Sequence, residues 1–293
     1  MNSWMPGQDE PSRTERLFKK FARQWIAGDT LDDAVLRAKE SNKNGINGII
    51  NNLGEHAISE EMTMRTVQEY LDILHSIDKD KVSACITVKP TQMGASIDES
   101  LCRENLAGLL DEAKKLNIFV WIDMESSKFT QLTLDLYRSL SKVHKNVGVA
   151  LQAYLKRSAK DLDDLLSTEG KVRLCKGAYR ESSDITVGSK EEIGQSFSSL
   201  MQVLFEKGDN FAIATHDDKL IKNAKELSKD YNRNFEFQML LGIRENLKFK
   251  LVAEGFRVSN YIPYGRKWLA YTMRRLRERR GNILLIFRSL FGG

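Results

Sequence analysis

Short β-branched runs alternate with amphipathic helical segments along most of the chain, and the alternation repeats eight times. Apolar residues at helical spacing and short apolar runs bounded by turn residues are the signals for the two kinds of element. Eight strand–helix units in about 250 residues predict an α/β fold and favour one closed (β/α)8 barrel of the TIM type. We place the barrel at residues 31–282, between an N-terminal helical arm at 1–30 and an amphipathic C-terminal tail at 283–293.

The predicted strands are Gly45–Leu53, Val82–Lys89, Ile118–Asp123, Val147–Tyr154, Val172–Lys176, Phe211–His216, Phe235–Leu240 and Phe256–Ile262. The predicted helices are Arg13–Ala27, Leu31–Asn42, Met64–Ile77, Ser100–Leu116, Lys128–His144, Ser158–Leu166, Lys190–Lys207, Asp217–Lys229, Glu245–Ala253 and Trp268–Arg280. An open dinucleotide-binding sheet is the rival fold. It would carry G-x-G-x-x-G after the first strand, and the sequence lacks this motif.

The composition argues against a disordered, a disulfide-rich and a membrane-spanning protein. With 41% hydrophobic and 29% charged residues, the 293-residue chain has too much apolar content for intrinsic disorder. A net charge of +5 is too small by itself to indicate a nucleic-acid partner, and we expect none. Three cysteines give no disulfide framework, and neither a signal peptide nor a membrane-spanning run is visible. We therefore expect a cytoplasmic protein.

Metal and serine-nucleophile chemistry find little support in the sequence. The four histidines are far apart and at no ligand spacing, and no Cys-x-x-Cys pair occurs. No nucleophile-elbow motif is present. We expect no metal site.

Charged side chains recur where predicted strands end. Lys89, Asp123, Lys176 and His216 close strands, and Arg173 lies within one. In a (β/α)8 barrel these C-terminal ends meet on one face, where active sites lie. The three cations outnumber Asp123, which predicts a bound anion, either a substrate carboxylate or a cofactor phosphate. His216 fits a functional role and a capping role equally well.

A second cationic feature lies on the last predicted helix of the barrel. Tyr271, Arg274, Arg275 and Glu278 share one helical face. Two neighbouring guanidinium groups can grip a carboxylate through paired hydrogen bonds. An exposed ion-paired helix and a basic nucleic-acid patch are the alternatives at this point.

The motifs that carry these residues resemble the proline dehydrogenase family. They are Tyr261-Ile-Pro-Tyr-Gly, Tyr271-x-x-Arg274-Arg275-x-x-Glu278, Arg173-Leu-Cys-Lys176-Gly177-Ala178-Tyr179, Ala214-Thr215-His216-Asp217, Phe235-Glu-Phe-Gln-Met-Leu240, Leu151-Gln152-Ala-Tyr154-Leu, Val88-Lys89, Thr91-Gln-Met-Gly94, Asp123-Met124-Glu125 and Asn52-Leu-Gly-Glu-His56. Their order and their positions on strands span roughly residues 25–282.

The resemblance implies an FAD-dependent barrel enzyme that oxidises L-proline to Δ1-pyrroline-5-carboxylate by hydride transfer. It implies that Asp123 and Arg173 are the active-site acid and the flavin-side arginine. It implies that the proline site is formed by Lys89, Arg274, Arg275, Tyr261, Tyr271 and Leu240. It implies flavin contacts from Met124, Gln152, Arg173, Lys176, Gly177, Ala178, Thr215 and His216. At Gly177-Ala178 we expect the backbone to approach a flat ring that a larger side chain would block.

One position departs from the family pattern. Pro90 follows Lys89, where an aliphatic residue is expected, and proline restricts Lys89 to extended geometry. Because the chain ends soon after the barrel, we expect electrons to leave to an external acceptor, a quinone by the same resemblance. The tail could touch a membrane surface or pack over the barrel as an extra helix.

Two other functions remain as alternatives. Lys89 or Lys176 could form a Schiff base in a lyase or aldolase, because both end barrel strands. The arginine helix could instead serve a non-enzymatic protein that binds RNA or an acidic membrane.

Overall fold

Eight parallel strands close into a barrel in which each strand pairs with the next and β8 pairs with β1. The computed structural model describes residues 23–54, 56–268 and 271–272. The strands are β1 Asn47–Asn52, β2 Ala84–Val88, β3 Val120–Ile122, β4 Val147–Gln152, β5 Val172–Cys175, β6 Phe211–Ala214, β7 Phe235–Leu240 and β8 Arg257–Tyr264. The predicted (β/α)8 fold is confirmed.

Helices connect the strands and cover the outside of the barrel. Within the described ranges they are α1 Leu31–Asn42, α2 Glu60–Lys79, α3 Glu99–Lys115, α4 Ser127–Ser141, α5 Ser158–Leu166, α6 Lys190–Lys207, α7 Asp218–Asp230 and α8 Glu245–Ala253. A short 3₁₀ helix, Pro90–Met93, follows β2.

Side-chain caps fix several helix starts. Thr30 and Ser189 form capping boxes with Asp33 and Glu192, and Asp217 accepts from the first-turn amides of α7. Each cap satisfies amides that have no partner inside the helix. The short loops that enter these helices are therefore held in place, and so are the strand ends that precede them.

The main core lies between the barrel and its helices. Strands such as β3 and β4 are buried along their whole length, as expected for strands that have side chains on both a helix-covered face and a filled interior. Apolar stripes of the helices pack against them, and aromatic rings of Phe205, Phe211, Phe235 and Phe237 form a contiguous contact set near β6 and β7. This core leaves the C-terminal ends of the strands open for a site.

Several predicted boundaries are wrong. The predicted strands at Val82–Lys89, Ile118–Asp123, Val147–Tyr154, Val172–Lys176 and Phe211–His216 run too far at their C-terminal ends. The regular ladder stops one or two residues earlier, although single backbone bonds continue past it, from the Asp123 amide to the Val88 carbonyl and from the Tyr154 amide to the Lys176 carbonyl. The predicted arm helix Arg13–Ala27 is also wrong in its last part, since residues 23–25 form a turn and residues 26 and 27 are not helical.

Some predicted segments cannot be compared. Residues 13–22 of the arm, most of the predicted helix Trp268–Arg280 and the tail at 283–293 lie outside the described residues, although Trp268, Tyr271 and Thr272 are helical. No helix in the described part of the chain is long and apolar enough to cross a bilayer. The same residues contain no cluster of three or more His, Cys, Asp or Glu side chains that could hold a metal ion.

Candidate active site

A cavity of about 390 Å³ opens at the C-terminal end of the barrel. Parallel strands place all their C-terminal ends on this face, so residues far apart in sequence meet there. Among the residues that line it are Lys89, Asp123, Met124, Gln152, Arg173, Lys176, Gly177, Ala178, His216, Leu240, Tyr261 and Tyr271. Twelve of the fifteen predicted site residues therefore share one cavity.

Asp123 is the centre of a hydrogen-bond network in the cavity. One carboxylate oxygen accepts from Arg173 Nη1 at 2.6 Å and from the Thr87 hydroxyl at 2.8 Å, and the other accepts from the Tyr261 hydroxyl at 3.0 Å. These donors come from β5, β2 and β8, so the network spans the barrel. Burial, followed by the charge of Asp123, raises the pKa of Tyr261 well above its ordinary value, and Tyr261 stays a neutral hydroxyl.

Arg173 is almost completely buried, at 4% exposure. Its guanidinium lies over the Trp121 ring, 4.8 Å from the centroid, which stabilises a desolvated cation. Nη1 binds Asp123 and Thr87, whereas Nε and Nη2 have no hydrogen-bond partner among the described residues. Two buried, unpaired donors on a residue that lines the cavity indicate a ligand that accepts hydrogen bonds.

Lys89 reaches the same network from the end of β2. Its Nζ lies 3.6 Å from Asp123 Oδ2 and 3.5 Å from Asn51 Oδ1. Its backbone is extended, with φ −105° and ψ 129°, which confirms the restriction that Pro90 imposes. Pro90 opens the 3₁₀ helix, and the buried Glu125 carboxylate accepts from the amide and hydroxyl of Thr91. The loop that presents Lys89 is thus anchored to the segment after β3.

Lys176 follows the end of β5, and His216 lies just after the end of β6. Lys176 Nζ donates to Asp217 at 2.7 Å, and this bond lowers the pKa of Asp217. His216 Nε2 accepts from the Leu240 amide at 2.9 Å. His216 therefore binds the backbone at the end of β7 in addition to lining the cavity. Both pairs tie β5, β6 and β7 together at the rim.

Gly177 is required for a reason within the protein itself. Its φ is +110°, a region that L side chains rarely adopt, and a Cβ would collide with the Tyr154 ring. From the sequence, this glycine is expected where the backbone approaches a flat ligand ring. The structure shows that Tyr154 already demands it.

Three predicted site residues are not in the cavity wall as described. Thr215 is buried beside it, and its hydroxyl accepts from the Asp217 amide. Arg274 and Arg275 lie outside the described residues. Their roles, like those of the other site residues, stay predictions.

Sequence reasoning missed several polar residues of this site. Asn51, Lys267 and Gln238 line the cavity, and Thr87 binds both Asp123 and Arg173. Asn51, Thr87 and Gln238 are polar residues within the predicted strands. A buried polar side chain in a barrel strand usually needs a partner, and that signal points to the interior of the barrel.

Comparisons with known proteins identify the family. The family model "Proline dehydrogenase" matches residues 34–283. Proline dehydrogenase 2 of Bacillus subtilis (strain 168) is 35% identical over 286 residues, which cover 94% of each chain. Proline dehydrogenase of Deinococcus radiodurans is 30% identical over 284 residues, 93% of this chain and 91% of that protein.

A solved structure shows the same fold. The proline utilization A (PutA) chain of Bdellovibrio bacteriovorus superposes with a TM-score of 0.83 at 23% identity, and the match covers 89% of this chain and 32% of that one. This chain therefore spans about a third of that longer protein. The comparisons support neither a Schiff-base lyase nor a non-enzymatic basic binding protein. The chain belongs to the proline dehydrogenase family, flavin-dependent oxidoreductases that oxidise proline in the first step of its catabolism.

Proposed function

We propose that the cavity holds FAD and L-proline together, and that proline is oxidised there to Δ1-pyrroline-5-carboxylate by hydride transfer. The observation that carries this proposal is the cationic wall around Asp123, in which Arg173 keeps two buried donors unpaired among the described residues. A buried guanidinium with unused donors is costly unless a ligand completes its hydrogen bonds.

The unpaired polar atoms suit a flavin ring. Arg173 offers two donors, and Gln238 offers a side-chain carbonyl oxygen that also lacks a partner in the described structure. An isoalloxazine edge carries both acceptors and a donor, and the bound flavin would supply the hydride acceptor. We assign flavin contacts to Met124, Gln152, Arg173, Lys176, Gly177, Ala178, Thr215 and His216. The positive charge of Arg173 would stabilise the charge that develops on reduction.

The charge balance suits an amino-acid carboxylate. Lys89, Arg173 and Lys176 face two carboxylates, Asp123 and Asp217, which leaves one positive charge in this set. The carboxylate of proline is the anionic group that this excess positive charge would attract. We propose that Lys89, Arg274 and Arg275 bind it, and that Leu240, Tyr261 and Tyr271 enclose the ring.

Asp123 would act as the organiser of both halves of the site. It holds Arg173 on one oxygen and Tyr261 on the other, so the flavin-side cation and the wall of the proline site share one anchor. Fixing two partners in one orientation lowers the entropic cost of reaching the reactive geometry.

For the electron acceptor we propose a quinone, with the tail at 283–293 making peripheral contact with the membrane that contains it. The tail combines apolar residues with Arg288, a composition that suits an interfacial segment. Deletion of residues 283–293 should then lower partitioning onto anionic vesicles. Unchanged partitioning would contradict the contact.

Purification tests the main proposal. We expect a yellow protein that releases FAD on denaturation, loses flavin absorbance when L-proline is added without oxygen, and recovers it when a soluble quinone is added. Borohydride treatment with substrate should trap no lysine adduct. A protein that cannot be reconstituted with FAD, or that L-proline does not bleach, would contradict the proposal.

A further inference from the structure

The described part of the N-terminal arm lies against the rim of the barrel, at the C-terminal end of β8. The Ala27 amide donates to the Pro263 carbonyl at 2.8 Å, and the Gly265 amide donates to the Gly28 carbonyl at 2.9 Å. These two bonds hold the arm backbone alongside the end of the last strand. The arm is thus fixed by directional contacts at the face that carries the cavity.

Two arm side chains are buried at this place. Trp25 is 2% exposed and Ile26 is fully buried. They belong to an apolar group that we call the rim cluster: Trp25, Ile26, Leu53, Leu240, Ile243, Trp268 and Tyr271. Leu53, Leu240 and Tyr271 also line the cavity. Members of one cluster therefore link the arm to the cavity wall.

Gly242 shows that the arm fits the β7–α8 loop at the level of the backbone. Its φ is +70°, and a Cβ there would collide with the carbonyl oxygen of Gln24. Its amide also donates to the Glu245 carboxylate at 2.9 Å. Because the two backbones are this close, the arm cannot shift along the β7–α8 loop, and its position at the rim is fixed.

From this packing we propose that Trp25 and Ile26 are positioning residues for proline, because they support Leu240 and Tyr271 from behind. The inference rests on the proposed function, in which these two side chains enclose the proline ring. The residues assigned to the flavin come mainly from the ends of β3 to β6. The rim cluster comes from the arm and from segments at the ends of β1, β7 and β8. Loss of arm packing should therefore affect proline far more than flavin.

A truncated Trp25 would leave a void behind the wall. Buried side chains are packed at crystal-like density, so neighbours relax into a space of this size only in part. Leu240 and Tyr271 would gain freedom, and the substrate would have to order them on binding. The cost appears in the proline concentration that half-saturates flavin reduction.

The test compares Trp25→Ala with Leu109→Ala in flavin-loaded protein under anaerobic conditions. Leu109 lies on α3 in the main core and is 1% exposed, so its truncation is the matched control for lost packing. For Trp25→Ala we expect the half-saturating proline concentration to rise about tenfold, with flavin content unchanged and the limiting rate within about threefold. Leu109→Ala should lower thermal stability and leave the half-saturating concentration unchanged.

Trp25→Phe keeps the inference testable if the alanine variant fails to fold. It should raise half-saturation by a smaller factor, since a phenylalanine ring fills part of the space. Wild-type half-saturation in either soluble Trp25 variant, or an equal rise in Leu109→Ala, would overturn the role of the arm. A flavin-loaded wild-type protein that proline does not reduce would instead overturn the proposed function on which this role depends.

Discussion

At the scale of single residues, Thr87 joins the two charged groups at the centre of the site. Its side chain is fully buried, its hydroxyl donates to Asp123, and the same oxygen accepts from Arg173 at 3.1 Å. A hydroxyl that donates and accepts at once can fix both partners of an ion pair. Thr87 therefore helps to set the relative orientation of the Asp123 carboxylate and the Arg173 guanidinium.

Thr87→Val keeps the side-chain shape and removes the hydroxyl. We expect the free energy of unfolding to fall by about 1–3 kcal/mol, because Asp123 and Arg173 each lose a buried hydrogen-bond partner. The rate of proline oxidation should fall at least several-fold. Urea denaturation and anaerobic flavin reduction measure the two effects.

Thr133→Val is the matched control for this change. Thr133 is also fully buried, and its hydroxyl donates to the Phe129 carbonyl within α4. Its replacement should leave the rate constant intact. Thr87→Ser, which retains a hydroxyl, should recover most of the activity. Equal rates of proline oxidation in Thr87→Val and wild type would show that the Asp123–Arg173 ion pair does not need the Thr87 hydroxyl.

At the scale of elements, α8 holds the end of β7 through a buried lysine. Lys248 is fully buried, and its Nζ donates to the Leu240 carbonyl at 2.9 Å and to Glu245 at 2.6 Å. Burial lowers the pKa of Lys248, and Glu245 opposes this shift. Because His216 binds the Leu240 amide, the Leu240 backbone is held on both sides.

Lys248→Met removes the donor and keeps most of the side-chain volume. The Leu240 carbonyl then loses its buried partner, and we expect the free energy of unfolding to fall by about 1–3 kcal/mol. Glu245 is partly exposed, so water compensates for its lost contact. Lys250→Met, on the exposed side of the same helix, should change stability by less than about 0.5 kcal/mol. Equal urea midpoints for the two variants would contradict this assignment.

The order of the elements could be predicted from sequence more completely than their ends. β7, α1, α5, α6 and α8 have the predicted bounds, since apolar spacing and turn residues agree there. Most strand ends beside the cavity were placed one or two residues too late, and the end of β8 two residues too early. At these ends the regular ladder gives way to single backbone bonds, such as that from the Asp123 amide to the Val88 carbonyl, and a single sequence contains no record of that change.

The candidate site shows the same division. Lys89, Asp123 and Lys176 were predicted because charges at strand ends are conspicuous. Thr87 and Gln238 were not, because a polar side chain inside a strand indicates the barrel interior without identifying its partner. The contact between Gln24 and Gly242 could not be predicted either, since it depends on how a loop meets a segment more than 200 residues away.

At the scale of the whole molecule, the fold protects its thiols from ionisation. Burial raises the pKa of Cys85, Cys102 and Cys175 to about 12. An unfolded thiol ionises near pH 8.5. Between these values the unfolded chain binds fewer protons than the folded one, so stability falls as pH rises.

We therefore expect the free energy of unfolding to decrease above about pH 8.5, by up to about 1.4 kcal/mol per pH unit for each thiol. The midpoint of guanidinium denaturation should decrease with it. A variant with Cys85→Ser, Cys102→Ser and Cys175→Ser should show a shallower decrease between pH 8.5 and 10. Below pH 7.5 the thiols are protonated in the folded and the unfolded chain, so the two proteins should show the same pH dependence of the midpoint. Identical slopes in the alkaline range would show that the thiols ionise in the folded protein as well.

We propose that the cationic cavity wall binds the proline carboxylate next to the flavin. The decisive experiment is a titration of flavin-loaded Lys89→Met with L-proline in the absence of oxygen, beside wild type and the exposed-site control Lys114→Met. Lys89→Met should retain its flavin and need at least about tenfold more proline to bleach it, as expected for the loss of one charged hydrogen bond to the substrate. Bleaching at the wild-type proline concentration, or loss of flavin with unchanged proline dependence, would contradict it.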